Sequence, residues 1–221
     1  MRMRAAVVVA LAVTFAAAGT VSPFSAAGAP APATPGTIVD EWTAVKAPPA
    51  PALKAVTADP AATAFLVLDF MRQTCNVQVR PRCVASVPKT VALIARALAA
   101  NMLVVYSVIP GGKLDDILPE VRPLPGQPLV TSGPDKFLGT DLEAILRGHG
   151  IKAVIVSGTA AHGAVLSTGS EAAMRGFNVY VPVDLMSAET TYAEQYTAWH
   201  LSHAPVFSPR VTLTRSDLLH F

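Results

Sequence analysis

The 221-residue chain carries 17 Lys and Arg against 15 Asp and Glu, and two of its basic residues, Arg2 and Arg4, sit at the very start. Without that start the basic residues fall to 15, equal to the acidic ones, and no basic run remains. A surface of this kind offers no electrostatic footprint for nucleic acid or for an anionic membrane.

Arg2 and Arg4 precede an almost unbroken apolar run, Ala5 to Ala18, followed by small residues around Ser25-Ala26-Ala27 and Ala27-Gly28-Ala29. This order reads as a signal peptide over residues 1–27, so the protein is expected to be exported, periplasmic or secreted. The run of about fourteen residues falls short of the roughly 20 that span a bilayer, and an uncleaved anchor is the alternative. Residues 28–60, rich in Pro, Ala and Thr, read as a linker. Residues 61–221 then form one domain, expected to be soluble and off the membrane after cleavage.

Ala64-Phe65-Leu66-Val67-Leu68 is a continuous apolar run ending in Asp69, the pattern of a strand buried on both faces. Cys75 and Cys83 follow, eight positions apart. In an exported chain this pair is read as a disulfide, with two free thiols as the competing reading. Helical spacing predicts a helix from Val87 to Ala100, then Leu103 to Tyr106 reads as a second buried strand. Gly111-Gly112 and the prolines up to Pro134 mark a long irregular crossing. Thr140 with Glu143 has the spacing of a capping box and predicts a helix to Arg147. Ala153 to Val156 is a strand, Gly163 to Arg175 a helix, and Val179 to Val183 a strand ending at Asp184. A helix over 193–201 and a strand over 206–213 complete the order. Strands alternating with helices predict a three-layer α/β/α fold with a mostly parallel, Rossmann-like sheet. Ligands bind beyond the carboxyl ends of such strands, which selects Asp69, the residues after Val156, and Asp184.

The stretches AFLVLDF, DKFLGTDLEAIL and VIVSGTAAHGAVLSTGSEAAMRGFNVYVPVD, in this order and spacing, resemble the isochorismatase-like hydrolases over residues 64–213. In the cysteine hydrolases of that family an Asp, a Lys and a Cys form the catalytic triad. The resemblance places Asp69 and Lys136 in the first two roles. The third position is Ala164, between Gly163 and Val165, and a methyl group cannot attack a carbonyl. In the isochorismatases this position is Gly, and Ala-His leads into it as Ala161-His162 does here. The resemblance there implies hydrolysis of a vinyl ether by acid catalysis, with no covalent intermediate. An aspartic acid suits that role if burial raises its pKa, which the neighbouring Lys opposes.

Catalysis is thus expected from Asp69 and Lys136, with His162, Gly163 and Ala164 lining the binding site. The partner is a small-molecule substrate, a vinyl ether or an amide, and the resemblance also implies assembly of copies through helix faces. Loss of chemistry with retention of a binding pocket is the alternative. The five histidines all lie late in the chain, and only His200 and His203 have ligand-like spacing, so no metal site is expected. No phosphate loop and no dinucleotide fingerprint occurs, so no cofactor is expected.

Overall fold

The computed structural model describes residues 36–221. The expected leader lies outside them. The chain divides into two compact units, Met1–Ala47 and Pro48–Phe221. In the first, a short helix Ile38–Glu41 (α1) runs into a 3-10 turn at Trp42–Ala44. The Thr37 hydroxyl and backbone N–H both donate to Asp40 at 2.8 Å, fixing the helix start.

The second unit contains Val56–Thr57 (β1), Thr63–Leu68 (β2), Pro81–Ala99 (α2), Leu103–Val108 (β3), Leu129–Thr131 (β4) and Leu142–Gly148 (α3). It continues through Ala153–Thr159 (β5), Leu166–Met174 (α4), Asn178–Pro182 (β6), Met186–Ser187 (β7), Thr191–His203 (α5), Val211–Thr214 (β8) and Leu219–His220 (β9). The main sheet has the order β4-β3-β2-β5-β6-β8, every pair parallel, with β7 joining β5 beyond the end of β6. Counted from β2, the chain builds outward on one side, returns, and builds outward on the other. The order reverses between β2 and β5, which opens a crevice at their carboxyl ends.

The strands alternate between two cores. Ala64, Leu66 and Leu68 of β2 join Val154 and Val156 of β5 beneath α3, α4 and α5. Phe65 and Val67 point the other way, with Val104, Tyr106 and Ile155, against α2. Helix α2 meets them with Cys83, Val87, Thr90, Leu93, Ile94 and Ala97, an apolar stripe at helical spacing. Because both faces are covered, β2 is buried along its whole length, as its unbroken apolar run requires.

Strands β2 and β5 come closest at their carboxyl ends, where Leu68 is the register partner of Gly158. Gly158 has φ +138, and a Cβ there would lie 2.2 Å from the Leu68 carbonyl oxygen. Only glycine fits this position.

Several expected boundaries move. Helix α2 begins at Pro81, six residues before Val87, because proline suits a first helical turn and Pro88 is carried inside the helix. The crossing over 111–134 contains β4, and β8 is confined to Val211–Thr214 after a 3-10 turn at Ser208–Arg210. The capping box does not form. Thr140 accepts from the Leu142 N–H, while Glu143 turns to Arg147 and Arg175. Within the stretch read as linker, Val56–Thr57 pairs in parallel with Leu219–His220, and Val56 and Ala58 are buried.

Candidate active site

Asp69 is the first residue beyond β2. Its φ of +55 puts the backbone in the left-handed region, which Asp tolerates better than most residues. The Met71 N–H and the Thr74 hydroxyl both donate to its carbonyl, at 2.8 and 2.5 Å. This turn ends the strand and leaves the side chain at the switch point, with the residue as a whole 3% exposed.

Its two carboxylate oxygens have different partners. Oδ1 accepts from the Ser107 hydroxyl at 2.7 Å, and the Ser107 oxygen in turn accepts the Asp69 backbone N–H at 3.2 Å. Oδ2 lies 2.7 Å from Lys136 Nζ, whose side chain is fully buried. Ser107 reaches Asp69 because β3 is the neighbour of β2, with Ser107 in register with Leu68. Lys136 Nζ also donates to the Ser132 carbonyl at 3.1 Å.

The Lys136 loop is held on several sides. Its backbone N–H donates to Thr168 Oγ1 of α4 at 3.2 Å, and that hydroxyl donates to the Pro134 carbonyl at 3.1 Å. The Ser132 hydroxyl lies 2.8 Å from the carbonyls of both Asp135 and Leu138. Phe137 stacks on Phe177 at 6.2 Å and carries the Arg175 guanidinium above its ring at 5.0 Å. These contacts leave the lysine one direction in which to point.

Burial pushes the Asp69 carboxyl above its ordinary range. The charges of Lys136 and Arg80 and the Ser107 hydrogen bond oppose the rise without cancelling it. A carboxyl held this way binds its proton more tightly than an exposed one does.

The third predicted segment follows β5. Ala161–Val165 forms a single π turn that leads directly into α4. Ala164 is buried there, Gly163 half-buried and His162 exposed. The structure thus joins Asp69 and Lys136 in direct contact and sets the 161–165 turn at the end of the adjacent strand. Among the described residues, His162 makes no hydrogen bond to either.

Cys75 and Cys83 form a disulfide that closes the loop between Asp69 and α2. Asp184 accepts from the backbone N–H and hydroxyl of Ser216 and pairs with Lys89, a structural role away from Asp69. Among the described residues no group of three His, Cys, Asp or Glu side chains could hold a metal ion. His203 instead stacks on Trp199, and His200 lies against Tyr196.

This is a doubly wound α/β protein with a buried acid–ammonium centre at its switch point. The chain belongs to the isochorismatase domain family, whose description matches residues 63–212. It is similar to the secreted isochorismatase effector Isc1 of Verticillium dahliae, with 33% identity over 111 residues. That match takes in 45% of this chain and 58% of the relative, so the chain spans little more than half of that protein's length. An isochorismatase family protein from Burkholderia thailandensis shares the fold with a TM-score of 0.64 at 22% identity, over 75% of this chain and 97% of the other. N-carbamoylsarcosine amidase from Thermoplasma acidophilum does so with a TM-score of 0.60 at 23% identity, over 70% and 96%.

Proposed function

We propose that the protein is an exported hydrolase that cleaves a small vinyl ether without a covalent intermediate, with isochorismate as the first substrate to try. The buried contact between Asp69 Oδ2 and Lys136 Nζ carries this reading. Protonated Asp69 gives its Oδ2 proton to the terminal carbon of the vinyl group, and the Lys136 ammonium stabilises the carboxylate left behind. Water adds to the resulting oxocarbenium carbon and returns a proton to Asp69, and the hemiketal collapses to an alcohol and a ketone. Ser107 fixes Oδ1 and so leaves Oδ2 as the oxygen that exchanges the proton.

Ala164 fits this chemistry. It stands where the cysteine hydrolases of the family keep their nucleophile and supplies none, so water is the attacking group. Export is supported by the leader-like start, the disulfide and a relative described as secreted. No helix among the described residues is long and apolar enough to cross a membrane.

The test is pyruvate release from isochorismate by the purified protein and by Asp69→Asn. Turnover that disappears in the variant supports the hydrolase. Equal turnover in both overturns the role of Asp69. A folded protein that is silent with isochorismate and with other vinyl ethers or small amides is instead a binding member of the family.

A further inference from the structure

Two arginines at the start of α2 reach across to the segment after β7, and they do so differently. Arg82 grips Glu194 with a parallel fork, Nε to Oε1 at 2.7 Å and Nη2 to Oε2 at 2.5 Å. The Glu194 side chain is only 13% exposed, and its Oε1 also accepts the Ala188 N–H. This is a settled structural bridge.

Arg80 meets Glu189 through one oxygen alone. Nε and Nη2 both approach Oε1, at 2.7 and 2.5 Å, and Glu189 Oε2 takes no part. The Glu189 side chain is 42% exposed, whereas that of Arg80 is 16% exposed. The arginine is therefore fixed and its carboxylate partner is the loose half. Arg80 Nη1 donates to the Thr74 carbonyl at 3.1 Å, and Thr74 in turn donates to the Asp69 carbonyl. The disulfide between Cys75 and Cys83 closes the loop that presents it.

The sheet shows where this contact lies. At the carboxyl edge β5 has β2 on one side and β7 on the other, with Gly158 and Thr159 paired to Met186 and Ser187. Arg80 comes from the loop after β2 and Glu189 from the loop after β7. Their contact thus links the loops that follow the two strands flanking the end of β5, and the Ala161–Val165 turn follows β5 itself. The positive charge of Arg80 is felt at Asp69, and Glu189 is held ionised chiefly by Arg80 with a smaller pull from His162. Lys136 is fully buried and committed to Asp69, whereas the partner of Arg80 is open to solvent, so Arg80 is the cation for which an incoming anion can compete.

We infer that Arg80 is the receptor for a carboxylate on the substrate, and that Glu189 occupies its fork only until such a ligand displaces it into water. The inference rests on the Asp69–Lys136 pair marking the ligand site. A planar carboxylate can use both oxygens on the Nε–Nη2 edge, where Glu189 uses one.

Benzoate and benzamide are suitable probes, since neither carries a vinyl ether, and their affinities are read by NMR titration. The unmodified protein should prefer benzoate. Arg80→Gln should weaken benzoate at least tenfold and leave benzamide within twofold. Glu189→Gln, which removes the competing carboxylate, should tighten benzoate several-fold, and Arg82→Gln should leave the preference intact. The inference is overturned by an unmodified protein without preference for benzoate, or by Arg80→Gln acting alike on both probes. Should Arg80→Gln fail to fold, a Glu189→Gln protein with unchanged or weaker benzoate binding overturns it equally. Selective benzoate binding without turnover of isochorismate, other vinyl ethers or small amides would remove the hydrolase reading and leave the receptor standing. Turnover of isochorismate with KM unmoved by Arg80→Gln would do the reverse.

Discussion

Lys136 Nζ and Asp69 Oδ2 meet at 2.7 Å where the lysine side chain is fully buried and the aspartate side chain 5% exposed. Each charge there has the other as its main compensation, so the consequences of removing them are unequal.

Lys136→Met leaves the Asp69 carboxyl in a dry site with only Ser107 as a close donor. Loss of one member of a buried pair costs about 3–5 kcal/mol. Urea unfolding at neutral pH should show a loss of that order. Adding Asp69→Asn to Lys136→Met should recover part of it, since no buried carboxylate then remains. A double variant no more stable than Lys136→Met would mean that lost packing, not charge, sets the cost.

Asp69→Asn alone behaves differently. Burial raises the Asp69 carboxyl above the ordinary aspartate value of 3.8, so the folded protein holds its proton more tightly than the unfolded chain does. The stability contributed by this group is full below 3.8 and is lost as the pH rises through the raised folded value. Relative to Asp69→Asn, the unmodified protein should therefore lose stability across that window. The variant leaves the fully buried Lys136 ammonium without its carboxylate, so it should be the less stable protein at low pH, with the gap narrowing as the pH rises, and its turnover should be abolished. Denaturant midpoints of both proteins across the window measure this. A stability gap that moves in favour of the unmodified protein would show Lys136 outweighing burial.

Gly158→Ala places a methyl group against the Leu68 carbonyl at a backbone angle that L-residues avoid. Strands β2 and β5 must then separate at the switch point. A loss of at least about 3 kcal/mol is expected from the overlap and the strain together. Thermal unfolding of the variant checks it, and a melting temperature within two or so degrees of the unmodified protein, on the order of 0.5 kcal/mol, would contradict it.

The disulfide spans a separation of eight residues. Chain entropy assigns so short a loop about 2.5 kcal/mol. Cys75→Ser with Cys83→Ser should lower stability by that order. Intact-mass analysis should show no alkylation of the unmodified protein until reductant is added.

The central strands were legible because their chemistry is one-dimensional. A strand covered on both faces is apolar over most of its length, and β2, β3, β5 and β6 carry continuous apolar runs over 64–68, 103–106, 153–156 and 179–182. Strand β4 has only Val130 buried between exposed Leu129 and Thr131, and β7 has two residues, so neither leaves a pattern. Thr140 and Glu143 have the spacing of a capping box, but Arg147 and Arg175 offer Glu143 full charges in place of a backbone N–H. Asp69 could be read from its place at the end of an apolar run, and Lys136 from the stretch that resembles the family. Ser107 could not, because its role depends on which strand lies beside β2. A polar residue closing the neighbouring apolar run, Leu103 to Tyr106, was the available signal. Arg80 and Glu189 lie 109 positions apart, and only the fold brings them together.

The pairing of β1 with β9 bears on how long the protein lasts. The His220 carbonyl accepts the Ala58 N–H at 2.8 Å, Leu219 is fully buried, and Arg96 donates to the carbonyls of Leu219 and Ser216. A protease that would cut within Leu219–His220 meets backbone already committed to a partner strand and must first peel it away, at the cost of exposing Val56 and Leu219. For a protein proposed to work outside the cell, among secreted proteases, the β1–β9 pair thus serves as a clasp against cleavage.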